Sequence, residues 1–238
     1  MAVDPQGSPG NPPGGPRGRD PRDWRTEPAA AIRAFFAGRG KHVVYFAGYG
    51  ELGYEEAGCV RRVASGILTG RPAAGLLVLG GTLLRAGGHD GVAEVYAVAR
   101  DLGIETAGIH PSIAVRFADT HRVSPDCDHV FFVDDATWGG SLDGTDRPSP
   151  TLQLHLAVAD EAVFIGGGKH AADELRAFVA AGKPVRYFPA DMNHAATREW
   201  CQRDGAEIRD YRGAAHAAWE EVRRSATGHE AQSGPEVA

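Results

Sequence analysis

One carboxylate, Glu174, shares a short stretch with three consecutive glycines (Gly166, Gly167, Gly168) and two basic side chains, Lys169 and His170. A carboxylate one turn into a helix could stabilise positive charge at a sugar carbon or orient water during N-glycosidic cleavage. It could equally do no more than answer the positive end of the helix dipole. The glycines suit a different partner. They let bare backbone N–H groups and a helix start approach an anion with no β-carbon in the way, so phosphate is the expected guest. Lys169 and His170 stand where they could contact it. At Gly167 a side chain would fill the space a phosphate oxygen needs.

The same pattern of an apolar run followed by glycines occurs twice upstream. Val43 to Ala47 runs into Gly48 and Gly50, and Leu76 to Leu79 runs into Gly80, Gly81 and Thr82, with Gly88 shortly after. In a parallel sheet these strand ends share one edge, which predicts a phosphate-bearing or ribosyl ligand there. The alternative is a set of tight turns without a ligand. Asp134 and Asp135 follow another apolar strand. Paired carboxylates at that edge could hold Mg²⁺ through water or contact ribose hydroxyls, or merely begin a solvated loop. Trp138 lies in a loop of about fifteen residues, a length often found in lids, and could stack on a base or pack on the surface. The ten histidines show no metal-ligand spacing, so no protein-held metal is assigned.

These residues need elements to position them. Helical spacing is read at Pro28–Phe36, Tyr54–Leu68, Val92–Leu102 (with Asp90 as its cap and Gly103 as its stop), Gln153–Val158 and after Gly168 as far as Gly182. Further helices start near His194 and Gly213. Between them lie short apolar runs at 43–47, 76–79, 104–109, 129–133, 162–165 and 185–188. Strands alternating with helices predict βαβ units with right-handed crossovers. The expected fold is therefore a Rossmann-like three-layer α/β/α sandwich with a mostly parallel sheet. Gly48-Tyr49-Gly50-Glu51-Leu52-Gly53 is formally GxGxxG. The second strand, however, ends without the carboxylate that a dinucleotide site places on the ribose, so hydride transfer is set aside.

The chain has 238 residues, 42% hydrophobic and 24% charged, with a net charge of −6. That balance is ordinary for a globular domain and argues against a broad nucleic-acid footprint. No apolar run reaches membrane-spanning length and no signal peptide is read, so neither a nucleic acid nor a membrane is expected as partner. Three widely spaced cysteines, Cys59, Cys127 and Cys201, read as reduced thiols of a cytoplasmic protein. Eleven of the first 21 residues are Gly or Pro, which predicts a disordered tail over 1–22. A single domain is expected over 23–225 and a second tail over 226–238. A homodimer is the expected assembly.

Ala159-Asp160, the apolar strand, and Gly166-Gly167-Gly168-Lys169-His170-Ala171-Ala172-Asp173-Glu174 together resemble the SLOG superfamily. The likeness is to its Lonely Guy phosphoribohydrolases, also described as lysine decarboxylase-like. Their signature is Ala-Asp, a strand, then Pro-Gly-Gly-x-Gly-Thr-x-x-Glu. Here Gly166 replaces the proline, His170 the third glycine and Ala171 the threonine. The arginine that works beside the glutamate in that family falls near Thr151, with Arg147 in the preceding loop. The resemblance implies a nucleotide-like small-molecule ligand, and Glu174 acting in hydrolysis of the N-glycosidic bond of a nucleoside 5′-monophosphate. The other activity it implies is non-catalytic ligand sensing coupled to a partner.

Overall fold

The computed structural model describes residues 24–142, 145–205, 207 and 210–232. The expected tail over 1–22 lies outside the described residues. In chain order the elements are α1 (Ala29–Arg39), β1 (His42–Gly48), α2 (Cys59–Leu68), β2 (Leu76–Gly80), β3 (Leu84–Arg85), α3 (Glu94–Asp101), β4 (Glu105–Pro111) and β5 (His121–Arg122). Then come β6 (His129–Val133), α4 (Pro150–Val158), β7 (Glu161–Ile165), α5 (Lys169–Ala180), β8 (Val185–Phe188), α6 (His194–Asp204) and α7 (Gly213–Gln232).

Six strands form one sheet in the order β6-β4-β2-β1-β7-β8, and every neighbouring pair is parallel. All five residues of β2 and of β7 are buried, as expected for strands covered on both sides. Side chains alternate between two cores. Val44 and Phe46 of β1 pack with α2 and α3, through residues such as Val60, Ala64, Val95 and Ala99. Val43, Tyr45 and Ala47 pack on the opposite face with Ile32 of α1, Leu152 of α4, Leu175 and Phe178 of α5, and Ala215 of α7. The molecule is therefore the Rossmann-like three-layer α/β/α sandwich expected from the strand–helix alternation. From β1 the chain steps outward through β2, β4 and β6, then returns to place β7 on the other side of β1. The strand order reverses between β1 and β7, and crevices open at the carboxyl ends of strands at such a reversal.

Several local details differ from expectation. Helix α2 starts at Cys59 and not at Tyr54, because Tyr54 is tied down in a bridge to Met192 and by its hydroxyl to the Ile165 carbonyl. Asp90 makes no side-chain capping bond; it precedes a 3₁₀ turn, Gly91–Ala93, that leads into α3. At Gly91 (φ 57°) a β-carbon would lie 2.1 Å from the Gly50 carbonyl oxygen, so the two glycine loops meet there only without side chains. Gly103 does end α3: its N–H bonds to the Arg100 carbonyl and that of Ile104 to the Ala99 carbonyl, a Schellman arrangement. Helix α4 begins at Pro150, earlier than expected, because Ser149 caps it by accepting from the Leu152 N–H. Helix α7 runs to Gln232, past the boundary expected at 225. The antiparallel pair β3–β5 was absent from the expected elements; each strand has only two residues, too few for a periodic signal.

Candidate functional site

The carboxyl ends of β1, β2 and β4 and the start of α5 surround a cleft of about 630 Å³, within the range of small-molecule sites. Gly48, Gly50, Gly81, Thr82, Trp138, Gly168, Lys169, His170 and Glu174 all line it. Gly80, Gly88, Gly166, Gly167, Asp134 and Asp135 do not.

Of these four glycines, Gly80, Gly166 and Gly167 have a packing role; a β-carbon on Gly88 would make only contacts of 3.4 Å. A β-carbon on Gly80 would meet the Tyr96 hydroxyl at 2.6 Å, and one on Gly166 the Tyr49 ring at 2.4 Å. Gly167 (φ 128°) leaves no room either: its β-carbon would sit 2.4 Å from the Ala171 Cβ and 3.3 Å from the Ala215 Cβ. This corrects the expectation that a phosphate occupies the space beside Gly167; α5 and α7 occupy it. Gly168 is the exception within the triplet. Nothing lies within 4 Å of a β-carbon built on it, and its φ of −81° is open to any residue.

Helix α5 starts without a side-chain cap. Its first internal bond runs from the Ala172 N–H to the Gly168 carbonyl. The N–H groups of Lys169, His170 and Ala171 have no acceptor among the described residues, as the first turn of any uncapped helix leaves them. Lys169, His170 and Ala171 line the cleft together with Gly168. Lys169 is exposed and pairs with Asp173 at 3.5 Å.

Another part of the lining is aromatic. Phe117, Trp138 and Trp200 are 42%, 39% and 38% exposed, and all three line the cleft. Trp138 lies 5.1 Å from Phe117 and 5.7 Å from His121, centroid to centroid. Phe117 comes from a 3₁₀ turn after β4, and β3 and β5 bring Arg85 and His121 to the rim. The loop carrying Trp138 is fastened at its base: Ser149 N–H bonds to Gly140, Leu142 N–H to Arg147, and Ser141 N–H to the Asp173 carboxylate.

At the floor, Glu174 is 7% exposed. Its Oε2 accepts a 2.8 Å hydrogen bond from the Tyr45 hydroxyl, and its Oε1 lies 3.8 Å from His155 Nδ1. The Tyr45 ring is held between His155 (4.5 Å) and Phe178 (5.3 Å, parallel within 6°). Burial, with the Glu174 charge next, pushes the Tyr45 hydroxyl well above its ordinary pKa, so it remains a proton donor. Gly81 makes room for this arrangement; its β-carbon would lie 3.0 Å from the His155 ring.

The two adjacent aspartates part company. Asp134 is exposed, whereas Asp135 is buried. Asp135 Oδ1 accepts from the Thr137 N–H and hydroxyl, and Oδ2 from the Thr151 N–H and hydroxyl. Burial alone would raise its pKa, but these four hydrogen bonds outweigh that and hold it below the usual carboxylate value. Asp135 thus anchors the start of α4, and neither aspartate lines the cleft. Among the described residues no group of three or more His, Cys, Asp or Glu side chains could hold a metal ion. The described cysteines are buried and form no disulfide, and no described helix is long and apolar enough to cross a membrane.

Tyr45, Arg85, Phe117, His121, His155 and Trp200 were absent from the residues singled out in the sequence. One signal could have found His155. It lies one helical turn after Thr151, the position matched to the family arginine, and so on the same face of α4.

No protein-family model matches the chain, and no curated protein matches it by sequence. Among solved structures it is similar to the Moco Carrier Protein from Chlamydomonas reinhardtii, with 20% identity over 77% of this chain and 99% of that chain and a TM-score of 0.42. A second structure of that protein gives 18% identity at the same coverage and a TM-score of 0.41. The structural-genomics protein TM1055 is 26% identical over 60% of this chain and 72% of its own, with a TM-score of 0.37.

Proposed function

We propose that the cleft binds a nucleotide or nucleotide-derived small molecule, and that the chain works as a SLOG-type protein. The observation that carries this is the presence of two complementary surfaces in one cleft. Exposed aromatic rings form part of its lining, and the uncapped start of α5, with Gly168 open beside it, forms another part. A planar ring stacks on the first, and an anionic group accepts hydrogen bonds from the second. A sugar or similar linker would join the two groups. In the enzymatic form of this reading, Glu174 assists hydrolysis of the N-glycosidic bond of a nucleoside 5′-monophosphate.

A second reading is favoured by a specific observation. Thr151 stands where the family arginine is matched, and its hydroxyl is committed to Asp135. That supports a ligand-sensing module that signals to a partner without turnover. Work in the cytoplasm as a homodimer belongs to the same proposal, and light scattering of the purified chain tests the dimer. Bound Mg²⁺ is a further arm of it, tested by repeating the ligand measurements with EDTA.

One experiment separates the readings. Thermal shifts are measured with nucleoside monophosphates, their nucleosides and the molybdenum cofactor, and free base is assayed in the same wells. Stabilisation by monophosphates but not by nucleosides supports the site. Release of free base by the parent, lowered by roughly a hundredfold or more in Glu174→Gln at little change in affinity, supports hydrolysis. Stabilisation with no free base from any compound supports the sensor. No stabilisation by any phosphate-bearing compound overturns both.

A further inference from the structure

Glu174 reaches the cleft on a side chain with three rotatable bonds. A carboxylate that can swing is poorly placed for chemistry, since a displacement of about 1 Å can cost about a hundredfold in rate. Among the described residues the Tyr45 hydroxyl makes its one side-chain hydrogen bond, donating to Oε2 at 2.8 Å. The other polar groups nearby are too far away or engaged. His155 Nδ1 stands 3.8 Å from Oε1, beyond hydrogen-bond length. Lys169 pairs with Asp173, and the Thr151 hydroxyl donates to Asp135.

Tyr45 is itself rigidly held. It lies in β1, an interior strand, paired with Leu79 of β2 on one side and Ala162 of β7 on the other. It is 2% exposed, and its ring packs between His155 and Phe178 with Phe164 edge-on at 6.4 Å. A phenolic oxygen lies on the axis of its ring. Packing that fixes the ring therefore fixes the oxygen and leaves only its hydrogen free to turn.

We infer that Tyr45 is the positioning residue for Glu174: it occupies one carboxylate oxygen and so leaves the other, Oε1, as the oxygen presented to the ligand. Oε1 lies 3.8 Å from His155 Nδ1 and 3.8 Å from where a β-carbon on Gly139 would stand, and both residues line the cleft. Joined to hydrolysis, on which this step rests, Oε1 is the atom that acts at the sugar. Tyr45 affects that reaction only through Glu174.

The test is a double-mutant cycle of Tyr45→Phe and Glu174→Gln in the full chain, read on free-base release from nucleoside monophosphates. Phenylalanine keeps the ring and its packing and removes only the hydroxyl. Tyr45→Phe is expected to lower kcat by about ten- to a hundredfold, with KM changed by less than about twofold. The double variant should be no slower than Glu174→Gln alone, because a residue that acts only through Glu174 has nothing left to position. Effects that multiply, a loss confined to KM, or a Tyr45→Phe protein as fast as the parent overturn this inference and leave hydrolysis standing. If the parent releases no free base, the hydrolytic reading falls and the cycle is read on affinity for the monophosphates. There, a loss in Tyr45→Phe that disappears in the Glu174→Gln background supports the positioning role, and independent effects overturn it. The ligand-free parent gives a second measurement, needed where Tyr45→Phe does not fold by circular dichroism. In the chain carrying ¹³C-labelled tyrosine, a slowly exchanging hydroxyl proton linked to the Tyr45 ring is expected, shifted in Glu174→Gln. Its absence from the parent overturns the inference whatever the ligand does.

Discussion

Gly167 and Gly168 are adjacent in the sequence and identical in type, yet they should respond to alanine in opposite ways. At Gly167 the backbone sits at φ 128°, where an L side chain is strained, at a cost of about 1–3 kcal/mol. The new Cβ would also lie 2.4 Å from that of Ala171. Relieving that overlap means moving α5 off the sheet, which adds about 1–3 kcal/mol as in other overpacked cores. Together these come to about 2–6 kcal/mol, a large share of the 5–15 kcal/mol typical of a whole domain. At roughly 2–4 °C per kcal/mol for a chain of this size, Gly167→Ala should lower the melting temperature by about 4–24 °C. At Gly168 the φ is −81° and nothing lies within 4 Å of the added carbon. Gly168→Ala should therefore hold stability, or raise it by about 0.4–1 kcal/mol through the unfolded chain. Its methyl would stand at the open start of α5, so weaker stabilisation by nucleoside monophosphates would report on the site and not on the fold. The assay is thermal unfolding followed by circular dichroism, with and without those compounds. A Gly167→Ala protein that melts with the parent would refute the packing role given to this glycine.

Two further outcomes are expected. Trp138→Ala should weaken ligand affinity by about 5- to 150-fold, the range of about 1–3 kcal/mol lost with one stacked base, while the melting temperature of the free protein changes little because the ring is 39% exposed; isothermal titration checks both halves. Unfolding free energy should fall as pH drops from about 6.5 towards 4, because His110 ionises near 6.5 in the unfolded chain and only at about 4 when folded. In that window the unfolded state binds the extra proton, and the loss from this residue is on the order of 3 kcal/mol. Urea titrations of parent and His110→Asn between pH 7 and 4.5 test it, since the variant should lack that part of the slope. Despite burial, Asp135 is lowered on balance by its hydrogen bonds, and Glu105 and Glu161 by hydrogen bonds and cationic neighbours. These three begin to lose their contributions only as pH approaches the unfolded values of 3.8 and 4.5, at the acid end of the window.

Much of the architecture was legible because periodicity and burial are the same fact seen twice. The runs 76–79 and 162–165 read as short apolar strands, and β2 and β7 are buried along their whole length. The convergence of Gly48, Gly81 and Gly168 on one edge followed from parallel strands alone. What stayed hidden had no local signature. Strands β3 and β5 have two residues each and are defined only by pairing with one another across the chain. The purpose of Gly167 was misread because a glycine required by Ala171 and Ala215 looks, in sequence, like one required by a phosphate. Asp135 looked like a ligand for the same reason: nothing near it in sequence announces that Thr151, sixteen residues on, completes its hydrogen bonds.

Tyr45 and His155 were the costliest omissions, and their concealment says something about how the cleft is built. Each sits in a run of apolar residues and packs as one, so a pattern of hydrophobic spacing absorbs both. Their polar atoms nevertheless meet Glu174 from a strand and a helix of the rigid core. The aromatic wall is made differently, from the loop of Trp138, the turn of Phe117 and the small β3–β5 pair. Parts on loops tolerate substitution and displacement, whereas parts set into a close-packed core do not. Changes in the wall should therefore alter which ring is held and how tightly, and changes in the floor should alter what happens to it. On that division, Trp138→Ala should act on affinity, with turnover of bound ligand nearly preserved. Glu174→Gln should do the reverse. Two variants that both moved only affinity would leave the floor without a chemical task and favour the sensor.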